Sequence, residues 1–561
     1  MIAGLLAATS SAPVDKLAVP SIRYLSILPP MIMIGGAVIL LAVASLVSRP
    51  LRVRVSTIGS VIISGSALGI ALWQWADVQA HGAHTYVAHA VVMDGFSVLI
   101  TILIASAMLL TALVGDGYLS REGIEGAEFH VLALVSASGA MLMGSANDLI
   151  IIFLGLEILS IALYVLTAFN YQRAASGEAA LKYFILGGFS SAIFVYGIAL
   201  TYGATGSTNL TQIADFLSKN VVLTNGLLLA GLALMLVGFA FKVAAVPFHM
   251  WTPDVYQGAP SPVTGFMSAV AKAGAFAALL RVLLSSEGVI TSDWRPIVYG
   301  LAVLSLVVGS VVALRQRDVK RMLAYSSINH AGFIFLGVES ATSRGVSASL
   351  YYLFAYSFMT IGSFAIVTLL GREGDRDHDL TRYRGLAGRQ PLLALCFAIL
   401  LLAQAGAPFT TGLWAKLQVV LAGVTGGSVP LAVIAMVTAA IAAFFYLRVA
   451  VLMYAPSGAD SGRDSGGGAA SPAPARLDSG AQIGWASPEG VSGTISTLNA
   501  ELTLTDEAAA ATSETTPTVV PVPPLTGLAI GLCVAVTVVF GIWPQPLLDF
   551  ANHASLLFLA H

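Results

Sequence analysis

Cysteine and charge are what this 561-residue sequence has least of: two cysteines, and only 10% Asp, Glu, Lys and Arg together. Cys396 and Cys533 stand far apart in apolar runs, with no CxxC or CxxCH spacing. They are expected to be small packed residues and not disulfide, iron–sulfur or haem ligands. No metal, cofactor or catalytic residue set is therefore expected in the chain itself, and any redox chemistry is expected elsewhere. The formal net charge of −2 gives no sign of nucleic acid or another polyanion as partner. The alternating segments of about ten residues that mark a membrane β-barrel are missing too. The opening "MIAGLLAATSSAPVDK" lacks a basic n-region, which argues against a cleaved signal.

What is present is apolar. Hydrophobic residues make up 57% of the chain, in recurring runs of about twenty, the length that crosses ~30 Å of hydrocarbon as a helix. Candidate spans fall near residues 27–48, 55–75, 91–115, 127–146, 149–169, 180–204, 226–250, 262–284, 294–314, 323–340, 346–371, 391–425, 429–454 and 525–548. This pattern predicts an all-α polytopic membrane protein with about 14 transmembrane helices. Loop charge sets the orientation: sixteen basic residues fall in one set of alternate loops and five in the other, so both termini are expected on the outer side.

Residues 1–126 carry three spans. Residues 127–284 and 294–454 carry five each, and an odd number per unit turns the second copy over in the membrane. Each unit has one interrupted run: "FKVAAVPFHMW", 241–251, broken at Pro247, and "AQAGAPFTTGLWAKLQVV", 403–420, broken at Gly406 and Pro408. The expected plan is two inverted five-helix repeats, each with a broken helix. Residues 456–524, rich in Ser, Gly, Ala, Pro and Thr, read as a disordered cytoplasmic linker before the last span in 525–561.

Lysine is scarce, and its placement is informative. Of seven lysines, Lys182, Lys242, Lys272 and Lys416 lie inside expected spans, while the loops use arginine almost throughout. One lysine near mid-span costs ~2.5–3.5 kcal/mol and four cost roughly 10 if nothing compensates. A desolvated lysine can release its proton where arginine keeps it, so buried lysines can relay protons. Glu157, in "LGLEILSIALYVL", is the only carboxylate well inside an apolar run, and its distance from a lysine would decide how tightly that lysine holds its proton. Pro247 supplies no N–H to the helix, and unwound backbone at this depth must line protein or a hydrated cavity. Lys182 could instead snorkel to the interface. His130 and His330 read equally as packed core residues or relay stations. His249 and Asp254, beside the break, could cap a helix end.

Three stretches together resemble a known family. "FKVAAVPFHMWTPDVYQGAPSPVTGFMSAVAKAGAFAALLR", "KRMLAYSSINHAGF" and "GAPFTTGLWAKL" look like the antiporter-like membrane subunits of bacterial respiratory complex I and of Mrp-type antiporters. The likeness covers roughly residues 90–455. The "PDVYQGAP" wording, and lysine rather than glutamate at Lys416, are most similar to the subunit N branch. The resemblance implies proton translocation coupled to NADH:quinone oxidoreduction. An Mrp-type Na⁺/H⁺ antiporter or a membrane-bound hydrogenase subunit is the alternative. It implies a half-channel around Glu157, Lys182 and Lys242, a central link through Lys272 and His330, and an exit at Lys416. It also implies other membrane subunits as partners, with FMN, iron–sulfur clusters and quinone held by partner subunits, in a bacterial inner membrane.

Overall fold

A computed structural model describes residues 23–124, 127–220, 226–376, 378–456 and 519–554. Residues 457–518, most of the expected linker, lie outside the described residues. Apart from one antiparallel pair, β1 (His84–Tyr86) and β2 (Val91–Met93), the regular structure described is helical. Three helices come first: α1 (Leu28–Leu46), α2 (Arg49–His81) and α3 (Gly95–Glu122). Next come α4 (Glu128–Ser145), α5 (Leu149–Thr167), α6 (Ala174–Thr205), the short amphipathic α7 (Leu210–Lys219), α8 (Gly226–Val243), α9 (Trp251–Gly258) and α10 (Ser261–Arg281). After them stand α11 (Thr291–Ala313), α12 (Val319–Glu339), α13 (Ser343–Leu370), the single turn α14 (Leu386–Arg389), α15 (Pro391–Ala405), α16 (Thr411–Thr425) and α17 (Val429–Tyr454). Two helices, α18 (Pro524–Ile542) and α19 (Gln545–His553), close the described chain.

All fourteen expected segments fall on helices, and twelve described helices are long and apolar enough to span by themselves. The other two expected spans differ for physical reasons. The segment near 323–340 lies on α12, whose polar Ser326, Ser327, Asn329 and His330 are all buried against protein. The run 391–425 is divided into α15 and α16 by the turn at Gly406 (φ 94°) and Phe409 (φ 62°). In each unit the interrupted helix is the fourth, and the first helix packs on the second and on the fifth. Five crossings leave the second unit starting from the opposite side, so the repeats are inverted.

Packing is closest where side chains are smallest. A Cβ on Gly139 of α4 would sit 2.6 Å from the Gly155 carbonyl of α5, and one on Gly197 of α6 would sit 2.7 Å from the Gly231 carbonyl of α8. Backbones touch there without intervening side chains, as in membrane helix pairs built on small residues. The centre is formed by α3, α10 and α13, which pack on one another. Of these, α10 is buried along its whole length. It is fastened at both ends. At its C-terminal end Arg281 makes a two-pronged pair with Asp94, the N-cap of α3, both bonds 3.0 Å, and donates to the Gly144 carbonyl.

At its other end the N-terminal turn meets Asp375 in the loop after α13. That carboxylate, fully buried, accepts from the Ser261 backbone N–H (3.0 Å) and hydroxyl (2.8 Å), from Arg173 (3.3 Å) and from Lys320 (3.2 Å), with a His378 ring nitrogen at 2.9 Å. One side chain thus joins the starts of α6, α10 and α12. It also puts Arg173, Lys320 and the 371–379 loop on one face, as the loop charges predict. Lys320, read from sequence as an ordinary loop cation, is instead fully buried.

Burial alone would raise the Asp375 carboxyl, but Lys320, His378 and Arg173 outweigh it and hold it well below the usual carboxylate range. The group therefore contributes its stability above the unfolded value near pH 4, and loses it only as pH falls further towards the folded value. Asp375→Asn leaves buried cations unmatched and is expected to cost ~3–5 kcal/mol. The check is the thermal unfolding midpoint of the detergent-solubilised protein at pH 7. An unchanged midpoint would remove Asp375 as the fastening point.

Candidate functional site: a row of buried lysines

The first lysine stands where α8 stops. Ala244 takes a left-handed backbone (φ 63°), unusual for a residue with a side chain, and Pro247 offers no N–H, so regular helix resumes only at Trp251. Part of the freed backbone finds new partners: the Phe241 carbonyl accepts from the Ala244 N–H (3.1 Å) and from the Trp251 indole N–H (3.0 Å), and the Val246 N–H donates to the Ser305 hydroxyl of α11 (3.0 Å). Lys242, one residue from the end of α8, is 4% exposed. Its ammonium donates to the Ser160 hydroxyl of α5 (2.7 Å) and the Tyr183 hydroxyl of α6 (3.2 Å). Tyr183 in turn stacks on Trp251, ring centroids 4.6 Å apart and planes 9° apart. Glu157 lies one turn before Ser160 on α5 and acts on Lys242 electrostatically, yet the two form no ion pair within 4 Å, and one Glu157 oxygen has no hydrogen-bond partner. A narrow cavity lined by Ser160, Gly187, Ser190, Ser191 and Gly238 reaches Lys242.

Lys182 is not part of this group. Its side chain is 43% exposed and pairs with Glu178 (2.8 Å) and Asp254 (2.9 Å), as the snorkelling reading has it. Asp254 does not cap the break; its other oxygen pairs with Arg321 of α12 (2.8 Å). These residues line a polar cavity of about 330 Å³ shared with Arg173, Asp318 and His378, on the same face as the Asp375 loop.

The second lysine, Lys272, sits mid-way along α10 and is 2% exposed. It donates to the Ser327 carbonyl and, at 2.6 Å, to the Ser327 hydroxyl of α12. The Tyr356 ring of α13 lies beneath it, centroid 5.3 Å away, and the Tyr356 hydroxyl donates to Ser327 (2.8 Å). One turn along α12, His330 places one ring nitrogen 2.7 Å from the Tyr352 hydroxyl and the other 3.1 Å from the Tyr446 hydroxyl. Tyr446 also bonds Ser326 and reaches Gln404 of α15 (3.5 Å), which donates to Ser363 (2.8 Å). Both Lys272 and Lys416 act on His330 electrostatically.

The third lysine, Lys416, lies on α16 just past the second break and is 5% exposed. It turns back on that break, donating to the Ala405 carbonyl (2.7 Å) over the Phe333 ring (centroid 5.1 Å). The breaks are therefore closed by different residues, Trp251 in the first unit and Lys416 in the second.

The structure thus separates Lys182 from Glu157 and Lys242, and brings Lys272, His330 and Lys416 into one polar belt. Between the Lys242 and Lys272 groups the connection is aromatic, Trp251 against Tyr256, whose hydroxyl lies 3.5 Å from Ser327. The partners missed in the sequence are Ser160, Tyr183, Ser327, Tyr356, Tyr446 and Gln404. The paired serines of "AYSSINHAGF" were the available signal, since two adjacent hydroxyls in a buried helix need partners. His130 is a buried residue beside Thr57 (3.3 Å), outside this row. A hydroxyl both donates and accepts, so the Lys242 and Lys272 ammonium groups face partners able to hand a proton on, whereas Lys416 bonds a backbone carbonyl.

The family described as "NADH:quinone oxidoreductase/Mrp antiporter, TM" matches residues 146–442, which include all three lysines and both breaks. NADH-quinone oxidoreductase subunit N of Trichlorobacter lovleyi is 46% identical over 365 residues, 65% of this chain and 75% of that protein. The subunit N of Acidothermus cellulolyticus is 37% identical over 556 residues, 95% of this chain and 96% of that one. Among solved structures, a chain of respiratory complex I from Thermus thermophilus with bound aureothin superimposes with a TM-score of 0.70 at 29% identity, covering 94% of this chain and all of its own.

Trp251→Phe removes the indole donor to Phe241 and part of the ring stacked on Tyr183, while the Ala244 N–H (3.1 Å) still holds that carbonyl. The lost bond and contact are expected to cost ~1–3 kcal/mol, read as a lowered unfolding midpoint. A midpoint equal to wild type would mean that the indole contributes nothing to closing the break.

Proposed function

This chain belongs to the NADH:quinone oxidoreductase/Mrp antiporter transmembrane family, and from that premise we propose that it is the proton-translocating membrane subunit N of an NADH:quinone oxidoreductase. The observation that carries the reading is the row itself: Lys242, Lys272 and Lys416 are each at least 95% buried, and none makes an ion pair among the described residues. A cation kept in hydrocarbon without a fixed counter-charge is poised to give up its proton, and a membrane helix tolerates such cost where it serves transport. Subunit N works within a large complex beside other membrane subunits.

The finer steps follow as a scheme. FMN, iron–sulfur clusters and quinone belong to the partner subunits, and their electron transfer sends a change in charge into this chain. Glu157, unpaired on one oxygen and near Lys242, tunes the hold of that lysine on its proton. The proton passes by the hydrogen bonds around Ser327, His330 and Tyr446, crosses the remaining gap to Lys416, which is itself bonded to the Ala405 carbonyl, and leaves on the far side. Protons are collected at the polar cavity around Lys182 and Asp254, so Lys182 acts at the mouth and not beside Lys242. The excess of basic residues on that face supports a mouth in the bacterial cytoplasm with both termini outside.

Inverted membrane vesicles carrying Lys242→Met in a normally assembled complex test this. NADH-driven quinone reduction and proton uptake are both expected to fall by about tenfold or more. Unchanged rates would sink the relay, and sodium-driven proton exchange without any response to NADH would favour an Mrp-type antiporter. Tyr446→Phe, which removes only the hydroxyl between His330 and Gln404, is expected to slow proton uptake less than Lys242→Met does; full activity would take Tyr446 out of the path.

A further inference from the structure

One groove lies outside the lysine row. It runs between α15 and α17, has a volume of about 560 Å³, and is walled by Leu395, Ala398, Ile399 and Leu402 on one side and Leu447, Ala450, Val451 and Tyr454 on the other. Several of these are open to the surroundings: Leu395 is 49% exposed, Val451 66% and Tyr454 54%. Its two walls each extend about 10 Å along the helices, most of one leaflet's share of a ~30 Å hydrocarbon layer.

The end of the groove near Tyr454 is positively charged. The turn 382–389 is pinned there: the Gly385 N–H donates to the Leu452 carbonyl (3.3 Å), Arg384 to the Pro456 carbonyl (2.9 Å), and Arg389 to the Arg384 carbonyl (2.8 Å). Arg372 is close enough to act on Arg389 as a like charge. Elsewhere on this face Arg121, Arg173 and Arg321 each pair with a carboxylate, whereas Arg372, Arg384 and Arg389 form no ion pair among the described residues. The first turn of α15, starting at Pro391, adds its positive helix end.

From this juxtaposition we propose that the α15–α17 groove binds an anionic phospholipid, its phosphate on Arg384 and Arg389 and one acyl chain along Leu395–Leu402 and Leu447–Tyr454. An apolar trough of leaflet depth ending in unneutralised guanidinium groups matches the two halves of such a lipid, and arginine forks suit phosphate oxygens. A transmembrane helix of another subunit would fill the trough equally well but would leave the arginines unmatched.

The test uses the assembled complex, stripped of lipid in detergent and given phosphatidylglycerol or phosphatidylcholine with the same photoreactive acyl chain. Phosphatidylglycerol is expected to label peptides covering 395–402 and 447–455 about tenfold more than phosphatidylcholine. Arg384→Gln with Arg389→Gln should abolish that preference. Ala450→Phe, which fills the trough and leaves the arginines in place, should abolish the labelling itself. Equal labelling by both lipids in the wild type overturns the proposal without recourse to a variant. So does protection of these peptides by a neighbouring subunit, which would make the groove a protein interface.

Discussion

A carbonyl released from a helix inside hydrocarbon has no water to turn to, and the layout of this chain follows from how two such carbonyls, at Phe241 and Ala405, are satisfied. In the first unit the Ala245 N–H turns back to Ala240 ahead of Pro247 and leaves Phe241 to the Ala244 N–H (3.1 Å) and a side-chain donor; in the second the break is written by Gly406 and Pro408, and each takes a donor from nearby in sequence. Trp251 closes the first and Lys416 the second. That difference has a consequence. Where the indole does the closing, Lys242 is free to face the hydroxyls of Ser160 and Tyr183 across the α5–α6 side. Where the lysine does the closing, its ammonium is held by its own broken helix, and it reaches the rest of the row through its charge, which acts on His330. Two copies of one plan have become unlike at their polar centres while keeping the same order of helices.

The cations are stabilised by dipoles in place of charges. Hydroxyls, two backbone carbonyls and aromatic faces surround the three lysines; the carboxylates at Asp375, Asp254 and Asp94 make their ion pairs at helix ends, while Glu157 acts on Lys242 from within α5 without pairing to it. A buried ion pair is costly to break and holds its proton firmly. Dipoles and ring faces offset part of the desolvation and leave the proton exchangeable. The same division explains the arginines: fixed cations that fasten α10 to α3 or α6 to the Asp375 loop can be arginine, since no change of protonation is asked of them.

Periodicity and loop charge made the helices legible, because a run of twenty apolar residues admits few other readings in a chain with so little charge. The breaks were legible for the same reason, since Pro247 and Pro408 interrupt runs that otherwise meet no obstacle. The partners of the lysines were not. Ser160 and Tyr183 lie 82 and 59 residues from Lys242, and single hydroxyls in membrane helices are common enough to carry no signal alone. Lys182 misled because apolar neighbours flank it in sequence; its position early in α6 lets the side chain reach Glu178 one turn back and Asp254 at the surface. Lys320 misled in the opposite sense, since its basic neighbours marked a loop while the fold closed over it. Sequence spacing reports depth along a helix, and not which face the next helix will cover.

Lysine also lets the second break survive a change of protonation. A neutral amine still carries two N–H groups, so Lys416 can lose a proton and continue to donate to the Ala405 carbonyl. The break then stays closed in both states, and what changes is the charge seen by His330, which already sits between Tyr352 and Tyr446 with either ring nitrogen able to donate or accept. An arginine in that position would need partners for five N–H groups in a belt that offers one carbonyl, and it would not titrate. In the proposed relay the helix break and the proton-carrying group are then the same device: the backbone requires a donor at that depth, and lysine, unlike arginine, supplies one whose charge can be removed without undoing the fold.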